Sequence, residues 1–194
     1  MINFTSNTYQ MKREILSFSN KISKHLSKPD KKFSADMTYG MLAAGSCLLT
    51  DVVEQLHEDT KKVNSVERLT RHLNNGTSFT ALKSYLTAIR KWAPQEPVIH
   101  IDDSDVIKPD GYKFEALGLV RDGSKSTASK TVYEKGYHVT EACVLTKNNH
   151  PVSIFSKIHS SKEKNFTSNN DVTFSAVKCG SDMFGRATFV MDRG

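Results

Sequence analysis

Apolar positions recur at helical spacing through residue 93 and at strand-like spacing beyond it. In MLAAGSCLLTDVVEQLHE, the residues Leu48, Leu49, Val52, Val53 and Leu56 fall on one helical face, and the polar stretch EDTKKVN then breaks the pattern. A second helix follows. Asn64 stands three residues before Glu67, as in a capping box; Val66, Leu69 and Leu73 form one face, Arg68, Arg71 and His72 lie on others, and Asn75-Gly76 stops it. FTALKSYLTAIRKWA predicts a third helix with Phe79, Leu82, Leu86, Ile89 and Trp92 on one stripe and Lys83, Arg90 and Lys91 away from it, ended by Pro94 and Pro97.

The period changes after APQEP, which divides the chain into a helical domain, residues 1–96, and a second domain, residues 97–194. VIHI reads as a buried strand. GYHVTEACVLTKN and HPVSIFSKIHS read as two more, joined by a turn at Lys147 to His150, and RATFVMD as a fourth. Between the last two, NNDVTFSAVKCGSDMF predicts a crossover helix capped by Asn170 or Asp171. The stretch from Gly111 to Lys135 reads as a long basic loop. A strand, an antiparallel pair, a helix and a strand make an α/β class with the opening order of a ribonuclease-H-like domain.

With 194 residues, 38% of them hydrophobic, the chain can bury one sizeable core or two small ones. It has no apolar run of about 18 residues and no apolar stretch of a secretory signal at its start, so the expected location is cytoplasmic, with no membrane partner. The net charge of +6 is uneven: residues 1–97 carry 14 Lys/Arg against 9 Asp/Glu, and residues 98–194 carry 13 against 12. The basic excess therefore belongs to the helical part, where it suits phosphates as well as a solvated surface. Cys47, Cys143 and Cys179 have no metal-ligand spacing and read as buried thiols; His100, inside the apolar run, reads as a hydrogen-bonded core residue.

Negative charge is concentrated at two places. Asp102, Asp103 and Asp105 follow VIHI, and Asp192 follows TFVM. If those strands lie side by side, Asp103 and Asp192 emerge together at one sheet edge, where like charges are costly unless a divalent cation neutralises them; oxygen ligands of this type suit Mg²⁺ or Mn²⁺. Two such ions about 4 Å apart could activate a water or sugar hydroxyl and stabilise the leaving oxygen of a phosphodiester. Asp102 and Asp105 read as supporting or surface carboxylates. The two helices carrying Arg68 and Arg71 suit a helix-turn-helix-like unit approaching DNA, although a plain helical bundle with a solvated basic face has the same spacing.

In combination, IDDSDVIKP, KFEALGLVRDGS, GYHVTEACVL, PVSIFSKIHSS, EKNFTSNN and TFVMDRG resemble the DDE transposases of bacterial insertion sequences, cut-and-paste type, and KFSADMTYGMLAAGSCLLTDVVEQL with SVERLTRHL resembles the helical DNA-binding region of that family. The resemblance covers nearly the whole chain. It implies a ribonuclease-H-like catalytic domain, metal ligation and catalysis by Asp103 and Asp192, and backbone contacts to DNA from Lys113, Arg121, Lys125 and Lys130. It further implies double-stranded DNA and transposon terminal inverted repeats as partners, a homodimer on DNA, and association with the nucleoid. The family's third carboxylate, a Glu on a later helix, has no counterpart after Asp192 in this sequence. The expectation is therefore an N-terminal portion with an incomplete catalytic domain, binding DNA without strand transfer.

Two other readings compete. An apolar strand followed by DSDVI also fits the opening of haloacid-dehalogenase-type phosphatases, with Asp103 attacking phosphate and Asp105 as acid/base, again with Mg²⁺. A non-catalytic DNA-binding regulator, its carboxylates only capping turns, is the third.

Overall fold

The computed structural model describes residues 4–76 and 78–192, which form six helices and a five-stranded mixed sheet, with five of the helices preceding it in the chain. Two compact units result, one ending at Ala88 and the other beginning at Ile89.

The first unit holds α1 (Phe4–Ile22), α2 (Lys28–Ala44), α3 (Leu49–Leu56), α4 (Lys62–Asn75) and most of α5 (Phe79–Trp92). Its core is Phe33 from α2, Val52 and Val53 from α3 and Leu69 from α4, flanked by Met37, Met41, Leu49 and Val66. The single helix expected across MLAAGSCLLTDVVEQLHE is broken in two. Gly45 adopts the left-handed conformation that ends α2 (φ 60°), and the Ser46 hydroxyl accepts from Leu48 N (3.1 Å) while donating to Asp51 (2.7 Å), which turns the chain into α3. Asn64 is no cap either: α4 starts at Lys62, and Ser65 on its inner face is almost fully buried. Close approach of α2 to α3 requires Gly40, since a Cβ there would sit 2.5 Å from Val52 Cγ1.

Charge ties α2 to α4. Glu58 accepts from Lys32 (2.5 Å), Ser65 (2.6 Å) and Arg68 (3.0 Å), and Asp36 accepts from Lys32 (3.0 Å) and Arg68 (2.7 Å). Lys32 first, then Ser65 and Arg68, hold the Glu58 carboxyl down at about 2, against a usual 4.5.

The second unit comprises the end of α5, then β1 (Val98–Ile107), β2 (Gly118–Arg121), β3 (Tyr133–Leu145), β4 (Pro151–His159), α6 (Asn169–Phe184) and β5 (Thr188–Met191). β1 pairs antiparallel with β3 on one side and parallel with β5 on the other. The far edge of β3 is shared by β4 and the short β2, both antiparallel. Ile99, Ile101, Ala142, Val144, Ile154, Val172 and Ala176 are buried in this unit. Gly180 of α6 sits so close to the sheet that a Cβ would lie 2.7 Å from Ile99 Cδ1.

Three details depart from the expectations above. β1 extends to Ile107 rather than ending at Ile101, because β3 continues to pair with it as far as Ile107↔Gly136; Asp102, Asp103 and Asp105 are thus exposed side chains inside a strand, not residues following one. The basic loop contains β2, and its turn is organised by the nearly buried Asp122, which accepts from Ser124 N (3.0 Å) and the Ser124 hydroxyl (2.6 Å). The cap of α6 is Ser168, whose hydroxyl accepts from Asp171 N at 3.1 Å. In β4 an extra residue interrupts the pairing: Ala142 faces Phe155 and Cys143 faces Ser153, leaving Ile154 between them.

Candidate carboxylate site

β1 and β5 run parallel and in contact, with Ile101↔Met191 as their last paired rung. One residue further on lie Asp102 and Asp192, and then Asp103; adjacent strands therefore deliver their acidic residues at the same end of the sheet. That adjacency is the arrangement anticipated from VIHI and TFVM. Along β1 the side chains alternate, so Asp103 and Asp105 share the face of Ile99 and Ile101, and Asp102 lies on the other with His100. Both Asp103 and Asp192 are exposed.

Across the sheet from Asp103 is Thr140 of β3, fully buried, whose hydroxyl donates to Asp103 Oδ1 at 2.5 Å. The same hydroxyl lies 2.9 Å from Nε2 of His159, a residue only 1% exposed at the end of β4. Two positions along, Asp105 Oδ1 meets His138 Nδ1 at 2.7 Å. The rings of His138 and Phe166 stack against His159, with centroids at 5.6 and 5.9 Å. Burial, and next to it the neighbouring His138, pull the His159 imidazole below the usual histidine value.

Oxygen ligands on two neighbouring strands are the right chemistry for Mg²⁺ or Mn²⁺, and Mg²⁺ is commonly held by one or two carboxylates with water completing the shell. Asp103 meets that requirement: Thr140 occupies one carboxylate oxygen, and the other has no hydrogen-bond partner among the described residues. A fuller protein cage is lacking, since among the described residues no group of three or more His, Cys, Asp and Glu could hold a metal ion.

The basic residues singled out in the sequence fall into two groups by environment. Arg68 is engaged with Asp36 and Glu58 and is only 27% exposed, whereas Arg71 on the same helix is exposed. In the second unit Lys113, Arg121 and Lys130 are exposed, and Lys125 is paired with Asp122 (3.3 Å) and Glu134 (3.0 Å). Of the cysteines, Cys47 is exposed and Cys143 and Cys179 are half-buried, so none is the fully buried thiol expected. His100 is exposed as well and is not a core residue.

Sequence reading missed Thr140, His138 and His159. A signal for the first two was present, because alternation in GYHVTEACVL puts His138 and Thr140 on the face of Ala142 and Val144. None existed for His159, which reaches that face only through the extra residue in β4. No helix among the described residues is long and apolar enough to cross a membrane. No protein-family model matches the sequence, and no curated protein matches it.

Proposed function

We propose that this chain belongs to a DNA transposase of the DDE kind, with a helical DNA-binding unit followed by the opening of a ribonuclease-H-like catalytic domain. The observation that carries the reading is the parallel pairing of β1 with β5, which brings the segments bearing Asp103 and Asp192 to the same end of neighbouring strands. Strand order supports it too: β4, β3 and β1 are successive antiparallel neighbours, and β5 is reached through the crossover helix α6. Asp103 and Asp192 would hold a divalent ion. When bound, such an ion supplies Lewis-acid stabilisation to the oxygens of a phosphodiester.

The basic excess of the first half would then offset the repulsion between DNA and the acidic sheet end, with Arg71, Lys113, Arg121 and Lys130 presenting exposed cations to backbone phosphates. Arg68 contributes differently, by holding α4 in place through Asp36 and Glu58. The chain is expected to bind duplex DNA through the exposed cations.

Two measurements test this. Millimolar Mn²⁺ should raise the thermal stability of the second unit in the wild type and not in Asp103→Asn. Duplex binding, followed by fluorescence anisotropy against salt, should be alike for the two proteins. A stabilisation that survives Asp103→Asn, or a wild-type chain that does not bind duplex DNA, would refute the assignment.

A further inference from the structure

We infer that Thr140 and His159 are positioning residues for Asp103, forming a buried chain of donors that fixes the orientation of its carboxylate. The direction of that chain follows from proton counting. A threonine hydroxyl has one hydrogen, and an ionised carboxylate can only accept, so the hydrogen points to Asp103 Oδ1 at 2.5 Å. The hydroxyl oxygen is then an acceptor toward His159 Nε2 at 2.9 Å, and Nε2 must carry the ring's hydrogen.

The opposite ring nitrogen agrees with this assignment. His159 Nδ1 is buried and has no hydrogen-bond partner among the described residues; a second proton there would place an unpaired donor and a charge in a buried position, which is costly. The ring is accordingly the neutral Nε2–H form. Stacking against His138 and Phe166 fixes its plane, and full burial of Thr140 keeps water from competing for the hydroxyl.

The two carboxylates on this face are thereby held by different means. Asp105 is clamped directly by the imidazole of His138 at 2.7 Å. Asp103 is held at second hand from His159 through Thr140, with one oxygen used and the other left toward solvent. Its role toward a metal ion rests on the transposase reading above; the orientation of the carboxylate does not.

NMR on the 194-residue chain decides both points. Long-range ¹H–¹⁵N spectra at neutral pH should show His159 protonated at Nε2 alone. Side-chain scalar couplings of Asp103 should report one rotamer in the wild type and in Thr140→Ser, and averaging in Thr140→Val and His159→Phe. In a Mn²⁺ titration read by paramagnetic broadening around Asp103, the last two variants should bind about tenfold more weakly, and Thr140→Ser should restore the wild-type midpoint. An Nδ1–H tautomer, or Asp103 couplings already averaged in the wild type, overturns the inference without any variant being needed; couplings unchanged by Thr140→Val overturn it as well. Absence of Mn²⁺ broadening with the expected couplings would retire the transposase reading and leave the donor chain standing.

Discussion

Glu58→Gln gives a prediction whose size and pH dependence both follow from the structure. In the folded chain the Glu58 carboxyl is held at about 2 against a usual 4.5, chiefly by Lys32, then by Ser65 and Arg68. At about 1.4 kcal/mol per pH unit, that difference has an upper bound of about 3 kcal/mol. Lys32 is 51% exposed and therefore screened, so the expected loss on neutralising Glu58 is about 1–2 kcal/mol at pH 7. The folded value is the depressed one, so the stabilisation is fully present above the unfolded value and disappears as pH falls through the folded value. The wild type should exceed Glu58→Gln at pH 7, and the gap should close between about pH 4.5 and pH 2. Urea titrations followed through the methyl resonances of Val52 and Leu69, which lie in the same unit, would isolate the relevant transition. A deficit of equal size at both ends of that range would show that the ionised carboxylate is not the source.

Three other outcomes are expected. Gly136→Ala forces a Cβ to within 2.4 Å of Val106 O, a backbone atom of the paired strand, and should cost about 1–3 kcal/mol in thermal unfolding of the second unit; a neutral result would mean that β1 and β3 part more easily there than their register indicates. Ser168→Ala removes the cap of α6 and should destabilise by about 1 kcal/mol, with faster hydrogen exchange confined to the first turn of that helix. Lys130→Ala should weaken duplex binding equally for all sequences and reduce the slope of log affinity against log salt by about one, whereas Lys125→Ala should do less, its ammonium being paired with Asp122 and Glu134.

Much of the chain was legible because its strongest signals are local. The helix α5, the two strands separated by the Lys147–His150 turn, and the crossover helix follow from apolar periodicity and turn residues, although of the stripe expected on α5 Ile89 is buried while Phe79, Leu82 and Trp92 are exposed. The breaks were harder. Gly45 sits inside an otherwise helical pattern, and only its positive φ, supported by the Ser46 turn, separates α2 from α3. The length of β1 was hidden because DDSD has little intrinsic preference for strands; pairing with β3, not propensity, keeps it extended. β2 is only four residues long and was lost among the glycines and lysines of its surroundings. Of the candidate site, the adjacency of the strands that lead to Asp103 and Asp192 could be read from two apolar runs. Their support could not, since Thr140 and His159 meet Asp103 only once three strands are aligned.

The irregularity in β4 has a bearing on protein engineering. Ile154 and His159 are both buried although five positions separate them, an odd interval that an uninterrupted strand would send to opposite surfaces. Ile154 acts as a phase shifter, letting one end of the strand feed the apolar interior while the other presents an imidazole to Thr140. Excising that single amino acid would join the Cys143↔Ser153 and Ala142↔Phe155 rungs into an unbroken ladder, so the distal half would keep its partners and His159 its place beside Thr140, while the apolar interior alone would lose a side chain.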